Sequence, residues 1–129
     1  MKNEAEIWLE YADENLTSAF LLHDNELYNS SLQNCQQAVE KYLKTILLVS
    51  EISLIKTHSI VQLIFIVESN NIKLAITREE AELLDTIYLP SKYPVGNVLP
   101  DFIADSSICQ ICLQIADRVK QSVHQYLAV

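Results

Sequence analysis

The stretch from Lys41 to His58 holds Lys41, Lys44 and Lys56 against Glu51 alone, in a chain whose net charge is −8. Within it, Lys56-Thr57-His58-Ser59 stands where a helix is expected to open. A helix start offers unbonded amides and the positive end of the helix dipole, so cations placed there make an anion site. Lys44, Lys56 and His58 are therefore candidates to hold a nucleotide or another phosphate. The same residues fit a plainer reading, in which Thr57 caps the helix and Lys56 is solvated. Other constellations offer less. Cys109 and Cys112 have C-x-x-C spacing, but a zinc site takes about four ligands and there is no second pair, so core thiols are expected. Glu6, Glu10 and Asp13 could face a cation or simply form a solvated acidic face. A chain with one glycine cannot build a glycine-rich phosphate loop. No metal and no cofactor are expected.

Composition narrows the setting in which such groups work. The chain has 129 residues, half of them hydrophobic, which suits one globular domain over residues 1–129. Its acidic balance opposes a general nucleic-acid-coating role, which relies on many Lys and Arg contacts to phosphate. Three cysteines, an odd number, and an acidic start without an apolar secretory core suggest a reduced, cytoplasmic protein. The longest apolar run, Leu63-Ile64-Phe65-Ile66-Val67, is too short to span a bilayer.

One Gly and three Pro do not provide the frequent turns of an all-β protein, so long helices must position the candidates. The first is expected over about 3–23, with Trp8, Ala12, Leu16 and Ala19 at helical spacing and a stop at Asp24-Asn25. The second spans about 27–50. Its Tyr28, Leu32, Cys35, Val39, Tyr42, Ile46 and Val49 alternate steps of four and three, a seam for packing at a shallow angle. Gln33, Gln37, Glu40 and Lys44 form a polar stripe beside that seam, with Glu40 and Lys44 as an i,i+4 pair. The third helix is expected to open at Thr57 and end at Asn70-Asn71, and the fourth opens on a capping box of Thr77 and Glu80. Pro90 and Pro94 should break the fourth and leave a loop over 90–104. The last runs from about Asp105 to Leu127 on Ile108, Cys112, Ile115, Val119, Ser122 and Tyr126. The expected fold is all-α: an antiparallel up-and-down bundle of four main helices plus one short helix, the third or the fourth.

Four blocks carry a further signal: Ala12-Asp13-Glu14-Asn15-Leu16 with Ala19; Gln36-Gln37-Ala38-Val39-Glu40-Lys41-Tyr42-Leu43-Lys44; Lys56-Thr57-His58-Ser59-Ile60; and Lys92-Tyr93-Pro94. Together they resemble the HEPN domain family, with the Gln-Gln-Ala block and the Lys-Thr-His turn as the specific parts. The resemblance implies a helical bundle that forms homodimers. It implies a two-component, toxin–antitoxin-like system with a minimal nucleotidyltransferase as partner, and the family name proposes nucleotide binding. Lys44, Lys56, His58 and Tyr93 fall on the matching positions, with Lys92 where many relatives carry Arg. Charge is kept there, and the bidentate fork of arginine is lost.

The resemblance also raises an alternative, a metal-independent ribonuclease acting on RNA. That branch carries an Arg, four to six residues, then a His, usually with a polar residue after the Arg. Arg118 and His124 are separated by five residues, and Val119 departs from the pattern. In such a site His124 would move a proton at the ribose 2′-hydroxyl or the leaving oxygen, and Arg118 would neutralise charge developing on phosphate. Six residues along a regular helix turn one side chain about 120° from the other and move it about 9 Å. Within one chain the pair therefore does not converge unless the helix breaks between them, whereas a symmetric dimer would bring both pairs to one cleft. The expectation from the sequence is a non-catalytic partner protein, with the ribonuclease as alternative.

Overall fold

A computed structural model describes residues 3–92 and 102–128. It contains α1 (Glu4–Asp24), α2 (Tyr28–Val49), α3 (Ile60–Ser69), α4 (Arg78–Lys92) and α5 (Ser106–Leu127). The α2 seam packs as its periodicity requires. Leu32, Cys35, Val39, Tyr42 and Ile46 are buried, and α2 touches all four other helices. Cross-helix contacts fix the directions. Ser31 Oγ donates to the Ala19 carbonyl and Tyr42 Oη to Asp13, so α1 and α2 are antiparallel. Gln33 reaches Ser91 and Gln36 reaches Asp85, so α2 and α4 are antiparallel as well. Cys35 meets Cys112 and Tyr42 meets His124, so α5 runs parallel to α2. This is an up-and-down bundle of α1, α2, α4 and α5. The ten-residue α3 is the short helix, packed on α2 and α4.

The helix ends are built almost without glycine. Glu26, Glu51 and Asn71 each adopt φ near +60° just past α1, α2 and α3. At each, the next amide reaches back to the helix: Leu27 N to Leu22 O, Ile52 N to Leu47 O and Ile72 N to Val67 O. These are Schellman closures, with an apolar residue following the left-handed position.

Two boundaries differ from the sequence reading. The cap of α3 is Ser59, whose Oγ accepts from Gln62 N, and not Thr57. Thr57 Oγ1 instead accepts from Ser59 N and donates to the Gln62 side chain. At the other boundary, α4 continues through position 90 to Lys92. A proline removes one N–H from the ladder. Here the last turn has other anchors: Gln33 Nε2 donates to the Ser91 carbonyl at 2.8 Å, and Ser91 Oγ to the Tyr88 carbonyl at 2.7 Å. The Thr77–Glu80 capping box forms in both directions, at 3.0 and 3.1 Å.

Candidate functional site

At the basic junction, α2 brings Glu40 and Lys44 together one turn apart. Lys44 Nζ lies 2.9 Å from Glu40 Oε2, with side chains only 10% and 12% exposed. The pair is thus an internal one, where a polar stripe beside the seam was expected. Lys44 Nζ also sits 5.6 Å from the Trp8 ring centroid. The other oxygen of Glu40 is 3.0 Å from His58 Nδ1, while the His58 side chain is 79% exposed. With Nδ1–H donating to Glu40, the imidazole offers Nε2 outward. Lys44 and His58 are therefore brought together, through a carboxylate shared between them.

The amides at the start of α3 also have a partner within the chain. Asp85, on α4, accepts from Ile60 N at 2.8 Å and from Val61 N at 3.0 Å. It further accepts from Ser59 Oγ at 2.9 Å and from Gln36 Nε2 at 3.4 Å. A carboxylate on free amides at a positive dipole end is the arrangement that a bound phosphate would otherwise make. The anion site expected from the sequence is in this respect filled by the protein's own side chain. Asp85 follows Glu79, Glu80 and Glu82 in the sequence, and nothing in its spacing marks it as a cap for a helix 25 residues earlier.

Lys56 is exposed beside this junction. Lys92 lies at the far end of α4, its Nζ 3.4 Å from Tyr88 Oη and 5.5 Å from that ring's centroid. Its neighbour Ser91 is held by Gln33, eleven residues before Lys44 and so about 16 Å along α2. Lys92 therefore does not join Lys44 and His58. Tyr93 lies outside the described residues.

Arg118 and His124 leave α5 toward different neighbours. Arg118 makes a two-pronged pair with Glu80, Nη1 to Oε1 at 2.9 Å and Nη2 to Oε2 at 2.6 Å, and Nη1 is 3.3 Å from the Ala75 carbonyl. The guanidinium hydrogen bonds hold the Glu80 carboxyl down at about 2, and Glu80 in turn raises the pKa of Arg118. His124 faces α1, with Nε2 at 3.0 and 3.2 Å from the two oxygens of Asp13. Tyr42, fully buried, donates to the same carboxylate at 2.5 Å. Burial first, then Asp13, drives the Tyr42 hydroxyl well above its ordinary pKa, which keeps it a donor. One chain thus holds Arg118 on the α4 side and an Asp13–His124 dyad on the α1 side, as the helical angle requires. Asp13 and Tyr42 were not singled out as partners of His124, because a seam tyrosine and a surface-phase aspartate carry no signal of a residue more than 80 positions away.

The cysteines are core groups. Cys35 Sγ donates to the Cys112 carbonyl at 3.0 Å and Cys109 Sγ to the Tyr28 carbonyl at 3.4 Å. Burial pushes Cys109 up to about 11 and Cys112 to about 12, so neither is a thiolate at neutral pH. Among the described residues no three His, Cys, Asp or Glu side chains form a group that could hold a metal ion. No described helix is long and apolar enough to cross a membrane.

This fold, four antiparallel helices with a short fifth, is matched in known proteins. The HEPN domain family matches residues 5–126, and the chain belongs to that family. Two solved structures share its fold. TT1696 from Thermus thermophilus superposes with a TM-score of 0.75 at 25% identity, covering 96% of this chain and 98% of that one. ST0689, an archaeal HEPN homologue, superposes with a TM-score of 0.75 at 22% identity, covering 98% and 99%. No curated protein matches the sequence significantly.

Proposed function

We propose that this HEPN protein is the partner-binding component of a two-component, toxin–antitoxin-like system, and that it docks a nucleotidyltransferase-type protein as a homodimer. One observation carries the reading: of the candidate cations among the described residues, Arg118, His124, Lys44 and His58 are each engaged by a carboxylate of the same chain. Arg118 is held by Glu80, His124 by Asp13, and Lys44 and His58 by Glu40. Asp85 takes the α3 amides. The chain as a whole carries a net charge of −8, complementary to a basic protein. A phosphate at the junction would meet Lys56 and the outer edge of His58, while Lys44 stays internal. Co-expression with the neighbouring reading frame tests the proposal. The two proteins should elute together at low salt and separate as salt screens the pairing. Separate elution at low salt would sink the reading.

The second reading, a metal-independent ribonuclease, is favoured by the Asp13–His124 contact. A carboxylate that fixes one ring nitrogen and leaves the other free is how an acid–base histidine is oriented. It requires two copies to bring Arg118 of one to His124 of the other. RNA cleavage in the presence of a chelator, lost in His124→Ala and in Arg118→Ala, is the expected result. A His124→Ala protein that cuts as well as the parent removes this mechanism.

A further inference from the structure

We infer that the groove between α1 and α2 binds a small zwitterion, an aromatic α-amino acid, with its carboxylate at Lys41 and its ammonium at Glu14. Lys41 follows Glu40 by one position, and one position is about 100° around a helix. Glu40 therefore turns to His58, while Lys41 turns to α1, where its Nζ lies 2.5 Å from Asn15 Oδ1. A chain of amides fixes that contact. Asn34 Nδ2 donates to the Ser30 carbonyl at 3.0 Å, and a carbonyl can only accept. Asn34 Oδ1 is left to accept from Asn15 Nδ2 at 3.0 Å, which turns Asn15 Oδ1 toward Lys41. Lys41 is thus held by a neutral amide, where Lys44 and Arg118 are held by carboxylates. A carbonyl takes one ammonium hydrogen and leaves the others for a ligand.

An open groove of about 680 Å³ runs past this lysine, lined by Tyr11, Glu14, Asn15, Ser18 and Asn34 besides Lys41 itself. Glu14 and Lys41 share the groove, yet neither makes an ion pair with the other or with any other described residue. The tether to Asn15 holds the ammonium away from the carboxylate. Opposite charges standing unpaired in one groove are the complement of a ligand that carries both. A dianionic phosphate would meet a single lysine and be repelled by Glu14, and a simple amine would be repelled by Lys41. An α-amino acid places a carboxylate and an ammonium on one carbon and leaves neither groove charge without a partner. Tyr11 selects the side chain. It is 59% exposed, and its ring centroid lies 5.8 Å from Lys41 Nζ. A ligand held at Lys41 therefore has an aromatic face beside it, against which a second ring packs offset or edge-on.

Arg118, His124, Lys56 and His58 do not line this groove, so the inference stands apart from partner docking and RNA cleavage. Calorimetric titration of the full chain with L-phenylalanine, L-tyrosine and L-tryptophan tests it. Binding in the millimolar range or tighter is expected for at least one of them. N-acetylation, which removes the ammonium, and conversion to the amide, which removes the carboxylate, should each weaken that ligand by about tenfold, the worth of one charge-assisted hydrogen bond. Lys41→Gln should weaken the free amino acid to the level of its amide. Glu14→Gln should weaken it to the level of the N-acetyl compound, and Glu14 is exposed, so this variant keeps the fold. Binding should also shift the side-chain amide signals of Asn15 and Asn34 in the NMR spectrum. If none of the three amino acids binds at millimolar concentration, the inference is overturned. It is overturned as well by blocked compounds that bind as tightly as the free one, by a folded Lys41→Gln protein that binds like the parent, or by a Glu14→Gln protein that keeps the full preference over the N-acetyl compound. Binding that leaves the Asn15 and Asn34 signals in place removes this groove as the site.

Discussion

Glu80 and Arg118 show what one well-placed pair contributes. The folded carboxyl titrates near 2, below its ordinary 4.5. Because the folded value is the lower one, the pair stabilises fully above about pH 4.5, and its contribution is lost as pH falls through about 2. Arg118 is 45% exposed, so solvent screening limits the pair to about 1 kcal/mol. Glu80→Gln should therefore lower stability by that amount at pH 7 and by almost nothing at pH 2, measured as the urea midpoint at each pH. Asp85 should matter more. It satisfies two amides and a hydroxyl at the start of α3. Asp85→Ala is expected to cost about 2 kcal/mol, the upper range for a cap, read as a fall in Tm of about 7 °C. If Asp85→Ala leaves Tm unchanged, the carboxylate does not hold the helix start.

Elements set the environment of each charge. Glu40 and Lys44 are separated by one turn of α2, which any helical reading pairs; burial, which the packing of α1 and α3 decides, changes what the pair is worth. Removing one member of a buried pair leaves the other uncompensated, at about 3 kcal/mol, whereas replacing both with apolar residues is close to neutral. Glu40→Leu and Lys44→Met should each be strongly destabilising, and the double variant should recover most of the loss in chemical denaturation. The helix ends give a prediction of the opposite sign. Glu51 holds φ 59° with a side chain that resists it. Glu51→Gly is expected to stabilise the protein by roughly 0.5–1 kcal/mol, seen as a higher urea midpoint with unchanged slope.

At the scale of the whole molecule, net charge sets the encounter. The net charge of −8 favours association with a basic partner. Raising salt from about 50 to about 500 mM should weaken a nucleotidyltransferase complex, since the attraction between opposite charges is screened. Sedimentation of the mixture at both salt concentrations measures this. A hetero-complex indifferent to salt would point away from an acidic docking face.

The bundle was legible in the amino-acid order because periodicity is a local property. Steps of four and three on α2 and α5, a capping box at Thr77 and Glu80, and a single glycine suffice to specify long helices and their inner faces. The HEPN blocks in α1, in α2 and before α3 were legible for the same reason, each being local in the sequence. The candidate site was legible only as a set of names. That Asp85 would take the amides of α3, that Glu80 would grip Arg118, and that Asp13 and Tyr42 would receive His124 depend on contacts between helices 25 to 111 residues apart. Sequence spacing determines which way a side chain leaves its own helix; only the packing of helices decides what it meets. The basic junction therefore reads as free cations in the sequence and stands in the fold as a largely neutralised network, with Lys56 and the outer edge of His58 left to face a ligand.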